Sequence, residues 1–195
     1  MKELKVSTIL LAAGLSRRMG CDKLLLMYEG RALLHHAIDL LTKLPVHERI
    51  IISSETRLDT TDLPVNVKAY INPTPEEGQS SSIKLGVNAA TGTHYLFLAA
   101  DQPRLTIADL LPLLETVKTK PDKIIYPMID SKPCSPTLFP KLYKKQLINI
   151  TGDTGGRIIR DTHPEHCFTI KPKNPLNFKD IDTLEDLTGG LLNDK

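Results

Sequence analysis

Short stretches that are apolar at nearly every position recur along this chain, and they limit its fold more than any other feature. Val6 to Ala13 reads VSTILLAA and stops at Gly14, and Tyr95 to Ala100 reads YLFLAA and stops at Asp101-Gln102-Pro103. Runs this short, with no polar alternation, suit strands buried on both faces of a helix-covered parallel sheet. Arg49 to Ser53, Val65 to Ile71 and Ile124 to Pro127 are further strand-like segments. Helical patterns lie between them. In Ala32 to Leu44 the residues Leu33, Leu34, Ala37, Ile38, Leu40 and Leu41 form one apolar face, closed by Pro45. Ser80 to Ala90 follows Gly78 and begins with serines able to cap a helix, and Thr106 suits the cap of a helix from Ile107 to about Lys118. Strands and helices alternating in this way predict an α/β fold with right-handed crossovers.

The last third is less regular. Prolines 127, 133, 136 and 140 predict an inserted ribbon near the edge of the sheet. A helix around Pro140 to Ile148, a glycine turn at Gly152 to Gly156, a strand near Cys167 to Ile170 and a loop from Asp180 entering a terminal helix follow. The 195 residues are read as a single domain, 1–195, and 41% hydrophobic content is ample for its core. With 25 basic and 23 acidic residues the net charge is only +2, so neither a nucleic acid nor a membrane surface is expected as partner. Phosphate binding must come from placed residues. No apolar run reaches the ~18 residues of a membrane span. Met1 to Val6 leads straight into a strand, without the apolar stretch of a signal peptide. Cys21, Cys134 and Cys167 are odd in number and far apart, which predicts free thiols and a cytoplasmic setting.

Open α/β sheets bind ligands at the carboxyl ends of their strands, which singles out the loops after Ala13 and Ala100. Ala12, Ala13 and Gly14 are small enough to bring backbone N–H groups against anionic oxygens. Arg17, Arg18 and Lys23 add three cations within seven residues, a field suited to a polyphosphate. Neither GxxxxGK[ST] nor GxGxxG occurs, so this is not one of the common nucleotide loops. Asp101 faces the same rim, where its carboxylate suits either a hard cation such as Mg²⁺ or the capping of a turn. Ser80 to Ser82 suit contact with a nucleotide or the capping of their own helix. Gly152 to Arg157 combines a glycine turn, a capping Asp153 and a cation. His35 and His36 fall in an amphipathic helix and are not expected to ligate. His163, His166 and Cys167 are neighbours, but no second Cys/His pair has zinc spacing and no metal is expected there. Nothing resembles GxSxG or a Ser-His-Asp arrangement.

The segment Leu11 to Lys23 resembles the signature loop of the MobA-like nucleotidyltransferases, most closely the molybdenum cofactor cytidylyltransferases, through Gly14, Ser16, Arg18, Met19, Gly20 and Lys23. The resemblance continues at Asn72-Pro73, Gly78-Gln79-Ser80-Ser81-Ser82, Leu98 to Pro103, Gly152 to Arg157 and Asp180 to Thr183. It implies a Rossmann-like three-layer α/β/α fold with a mostly parallel sheet and a small C-terminal ribbon and helix region. It also implies transfer of CMP from CTP to the phosphate of a molybdopterin-type cofactor, with Mg²⁺ required and pyrophosphate released. By the same resemblance Arg18, Lys23 and Asp101 are catalytic. Leu11, Ala12, Ala13, Gly14, Gly78, Ser81 and Ser82 bind the nucleotide with them, and Asp101 and Asp182 hold the metal. Leu184 stands where the family's late DIDTPED segment has proline, and Asp182 also suits the cap of the terminal helix with Glu185 in a capping box. Lys132 to Phe139 keeps Pro136 but lacks the family's Gly-His, which leaves the acceptor more open than the nucleotide chemistry. The Ala12-Ala13-Gly14 form looks like the cytidylyl branch, since guanylyl relatives usually carry a Gly-Gly pair. The alternatives are a guanylyl or sugar-phosphate nucleotidyltransferase, or a non-catalytic accessory protein that delivers cofactor to a client such as a molybdenum hydroxylase.

Overall fold

A computed structural model describes residues 3–15, 21–57 and 63–188. In chain order the strands are β1 (Val6–Ala12), β2 (Met27–Tyr28), β3 (Arg31–Ala32), β4 (Glu48–Ser53) and β5 (Lys68–Ile71). They continue as β6 (His94–Ala99), β7 (Ile124–Ile129), β8 (Lys132–Pro133), β9 (Thr137–Pro140) and β10 (Cys167–Ile170). The helices are α1 (Leu33–Lys43), α2 (Gln79–Ala89), α3 (Ile107–Thr119), α4 (Lys144–Asn149), α5 (Arg157–Thr162) and α6 (Leu184–Thr188).

The main sheet runs β10-β7-β9-β6-β1-β4-β5, with β8 paired to β7. β1 lies between β6 and β4, parallel to both, and β5 and β10 extend the sheet in the same sense. Its apolar sequence has a direct cause in that position. Leu10 and Ala12 pack with Leu33, Leu34, Leu41, Leu110 and Leu113, so α1 and α3 cover one face. Ile9 and Ala13 pack with Ile83, Val87 and Leu147, so α2 and α4 cover the other. Three layers result, as two-sided burial demands. A Cβ on Gly86 would stand 2.5 Å from Ile9 Cγ2, so glycine there sets how closely α2 approaches β1. No helix among the described residues is long and apolar enough to cross a membrane.

Three segments differ from the sequence expectation. The proline-rich stretch is not simply an edge ribbon. β7 and β8 do form a hairpin, turned by Asp130 and Ser131 at φ 47° and 62°, but β9 runs antiparallel inside the sheet between β6 and β7. Leu138 and Phe139 explain this: each is buried, one on each face of the sheet. The second difference is the small hairpin β2–β3, turned by Glu29 and Gly30 at positive φ, where the sequence pattern predicts no strand. The strand expected from Val65 begins at Lys68, with Val65 exposed.

Glu48 is the principal buried charge at the opposite end of the sheet from the strand-end loops. Its carboxylate accepts from Ser7 Oγ at 2.7 Å, the Thr91 N–H at 2.8 Å and Lys68 Nζ at 2.8 Å. Burial by itself would raise its pKa, but Lys68, Thr91 and Ser7 overcome that and hold it at about 2. The folded pKa is therefore below the reference value of 4.5. The stabilisation is fully present above that reference value and is lost as the pH falls toward 2. We expect Glu48→Gln to lose about 3 kcal/mol at neutral pH and to flatten the acid limb of the stability profile. Urea denaturation at neutral and acid pH measures both.

Candidate active site

The loops after β1 and β6 open on one cleft of about 480 Å³, bordered also by the start of α2 and by the segment before α6. Lys23 is at its centre. Its ammonium donates to Asp101 Oδ2 at 2.7 Å and to Asp182 Oδ1 at 3.2 Å. Burial opposes the charge on Lys23, but the two carboxylates outweigh it and raise the pKa above the usual lysine value. Lys23 stays protonated at any physiological pH.

Local structure fixes each of these groups. Lys23 opens a single 3₁₀ turn capped by Asp22, whose carboxylate accepts from the Leu24 N–H at 3.2 Å. Arg57 then joins this turn to the end of β1. It donates to Asp22 Oδ2 at 2.5 Å and to the Ala12 carbonyl at 2.9 Å, with its side chain 5% exposed. Asp101 ends the turn after β6, and its own carbonyl accepts from the Ile181 N–H at 2.9 Å. Gln102 donates to the Phe178 carbonyl at 2.9 Å. These two bonds hold the 178–182 segment across the mouth of the sheet.

Asp182 does not cap α6. Asp186 Oδ2 accepts from the backbone N–H groups of Asp182 and Thr183 at 3.1 and 3.0 Å, and Thr183 Oγ1 accepts from Asp186 N–H at 3.2 Å. Thr183 and Asp186 thus form the capping pair, and the Asp182 carboxylate is left to face Lys23. Loss of solvent and then the charges of Asp101 and Asp182 raise the pKa of Asp180 to about 6. Asp180 keeps an exposed edge, so water tempers the first of these causes.

The serine and glycine motifs meet on the opposite wall. Gly78 has φ +87°, and a Cβ there would lie 2.4 Å from Asp153 Oδ1 and 2.6 Å from the Gly152 carbonyl carbon. Asp153 Oδ1 accepts from the Gln79 N–H at 3.1 Å, so Asp153 caps α2 rather than the helix that follows it in sequence. Gly155 is pressed against Gln79, whose Oε1 would lie 2.2 Å from a Cβ.

Leu11, Ala13, Gly14, Lys23, Gly78, Ser82, Asp101 and Asp182 all border the cleft. Ala12 does not: its side chain is in the core and its carbonyl is taken by Arg57. Ser81 is turned inward, donating to the Gly78 carbonyl at 2.8 Å and accepting from Asn72 Nδ2 at 2.8 Å. Arg18, with Ser16, Arg17, Met19 and Gly20, lies outside the described residues. Arg57 and the cleft-lining Glu76 went unnoticed in the sequence, and Gln79, quoted there within its motif, was given no role. Arg57 sits in an ordinary polar turn, and only its burial marks it.

Asp101 and Asp182 already converge on one cation, the Lys23 ammonium. Asp101 Oδ1 is buried with no hydrogen-bond partner among the described residues. Hard oxygen donors around a cation position, one of them unsatisfied, fit a hard divalent ion.

Residues 8–167 match the model of the MobA-like NTP transferase domain. The chain belongs to that family. A probable molybdenum cofactor guanylyltransferase of Rhodopirellula baltica is 32% identical over 123 residues, 60% of this chain and 58% of that protein. A molybdenum cofactor guanylyltransferase of Syntrophotalea carbinolica is 29% identical over 115 residues, 59% of this chain and 53% of that protein. The matched stretch thus spans little more than half the length of these curated relatives. The crystal structure of Rv0371c from Mycobacterium tuberculosis H37Rv superposes with TM-score 0.79 at 20% identity, covering 95% of this chain and 96% of that one. This MobA-like domain therefore has the nucleotidyltransferase fold along almost its full length, and its cleft lies at the strand ends where such sheets bind ligands.

Proposed function

We propose that the protein transfers a nucleotidyl group from CTP to the phosphate of a molybdopterin-type cofactor. The observation that carries this reading is the meeting of Lys23, Asp101 and Asp182 in a cleft whose walls come from the family's motifs. An oxygen of the acceptor phosphate attacks the α-phosphorus in line. One P–O bond forms, the bond to the β-phosphate oxygen breaks, and pyrophosphate leaves with its electron pair. Such a reaction rests on positioning and charge neutralisation, and an anionic acceptor needs no general base.

Lys23 is the side chain placed to neutralise triphosphate charge, assisted by Arg18 from the same loop. The backbone at Ala13 and Gly14 orients the phosphates, and Ser82 offers a hydroxyl on the facing wall. Asp101 and Asp182 would hold Mg²⁺. When bound, the ion would supply positive charge to the phosphate oxygens. With Asp101 and Asp182 so engaged, the Lys23 ammonium would be left to pair with the triphosphate oxygens. Lys23→Ala is expected to lower turnover by roughly 10²-fold, since it removes a charge that acts on the developing anion. A single-turnover assay measures it.

The choice of CTP is supported by the Ala12-Ala13-Gly14 form of the loop at the cleft, where the guanylyl branch usually carries a Gly-Gly pair. GTP is the second reading, favoured by the names of the two curated relatives. Pyrophosphate release with CTP, GTP, ATP and UTP, each with molybdopterin cofactor, separates them. Selectivity for CTP supports the first reading and selectivity for GTP the second. No release with any triphosphate would mark a binding protein instead.

A further inference from the structure

At the end of the sheet opposite the cleft, one turn gathers three side chains that the proposed transferase does not use. His163, Glu165 and His166 each offer a ligand atom within 4.8 Å of the other two. Glu165 Oε1 stands 3.9 Å from His163 Nδ1 and 3.6 Å from His166 Nε2. Atoms bound to one zinc-type ion at about 2.0–2.2 Å are separated by roughly 3.3–3.6 Å when the geometry is tetrahedral. The two separations from Glu165 need to close by only a few tenths of an ångström, and the two histidine nitrogens lie within 4.8 Å of each other.

The remaining ring nitrogens are engaged from behind. His163 Nε2 lies 3.2 Å from Gln146 Oε1, an oxygen that accepts its proton and leaves the Nδ1 lone pair for a ligand. His166 Nδ1 lies 2.7 Å from the hydroxyl of the buried Tyr143, which can take the Nδ1 proton and leave Nε2 bare. Imidazoles anchored through one nitrogen and open at the other are typical of metal ligands. The two rings stack, with planes 10° apart and centroids 5.8 Å apart. Lys123 Nζ donates to the Glu165 carbonyl at 2.7 Å and pins the turn.

We propose that His163, His166 and Glu165 form a binding site for a divalent transition ion of the zinc class, separate from the cleft. Two neutral imidazoles and one carboxylate favour such an ion over magnesium, which prefers oxygen ligands throughout. The exposed side of the turn leaves the remaining positions to water. A bound ion would fasten the start of β10 to itself. Cys167 takes no part: its Sγ donates to the carbonyls of Arg160 and His163 at 3.5 and 3.3 Å. Sequence reasoning set His163 and His166 aside as ligands, because two histidines and a glutamate on one turn lack the paired spacing of a zinc finger.

The test is calorimetric titration of the reduced protein with zinc, in excess magnesium so that the oxygen ligands of the cleft are occupied. The parent is compared with the His163→Gln/His166→Gln double variant, with Glu165→Gln and with Cys167→Ser. The parent should bind one equivalent that the double variant loses and Cys167→Ser keeps, and Glu165→Gln should bind it at least tenfold more weakly. Circular dichroism of each variant establishes that it is folded. Undiminished binding by the double variant overturns the proposal, as does loss of the equivalent in Cys167→Ser or no binding tighter than millimolar in the parent. These readings do not depend on turnover, so they stand whatever the nucleotide assay shows.

Discussion

Asp101→Asn is expected to lower turnover by roughly 10²–10³-fold while leaving the fold intact. The substitution keeps the shape of the side chain and removes its charge. It leaves Lys23 paired with Asp182 alone, at the longer distance of 3.2 Å. It also replaces the buried, unsatisfied Oδ1, the feature that best fits a hard cation. Two measurements separate a chemical effect from a structural one. The midpoint of thermal unfolding should move little, because the Asp101 carbonyl still accepts from Ile181 and Gln102 still holds Phe178. Raising magnesium should recover only part of the rate. An Asp101→Asn protein with parental turnover would remove the carboxylate from the reaction and with it the proposed mode of catalysis.

A loss of stability as large as that of Glu48→Gln is expected from a single methyl group. Gly78→Ala puts a Cβ 2.4 Å from Asp153 Oδ1 and 2.6 Å from the Gly152 backbone, at a φ of +87°. With ψ at −171°, this conformation belongs to a region that only glycine enters freely. The backbone of Gly152 cannot yield as a flexible side chain would, so strain and collision add. About 3 kcal/mol is expected, which for a chain of this size lowers the unfolding midpoint by roughly 6–12 °C. Gly152→Ala is the natural comparison. It also has positive φ, +67°, but nothing lies within 4 Å of its added Cβ, so it should cost only about 1 kcal/mol. The Gly78 variant should also raise the KM for the triphosphate, since the wall bearing Ser82 and Gln79 moves with it. Equal stability of the two variants would mean that the close approach of Gly78 to Gly152 carries no energy.

The parts of the fold legible in the sequence were those with a strong local cause. β1 and β6 are apolar because both faces are covered, and α3 begins just after Thr106 because Thr106 and Asp109 cap each other. β9 was harder. Thr137 to Pro140 is four residues among prolines, and its place inside the sheet depends on partners in β6 and β7 that no local pattern reveals. In the site, Lys23 and Asp101 could be named because charges stood just past buried strands. Arg57 could not, since a buried arginine in a polar turn looks like any other until Ala12 and Asp22 are seen to hold it. Ser81 and Ser82 are adjacent and chemically alike, and helical rotation alone decides that one faces Asn72 and the other also borders the cleft. Asp182 was equally suited to two roles, and Asp186 took the cap.

Lys23 meets Asp182 across 159 positions of sequence. During synthesis the basic loop therefore emerges long before its second carboxylate exists, and β1 can pair with β4 and β6 while that contact is still missing. A nascent or prematurely ended chain that stops short of Asp182 has much of the sheet but not the complete charge cluster.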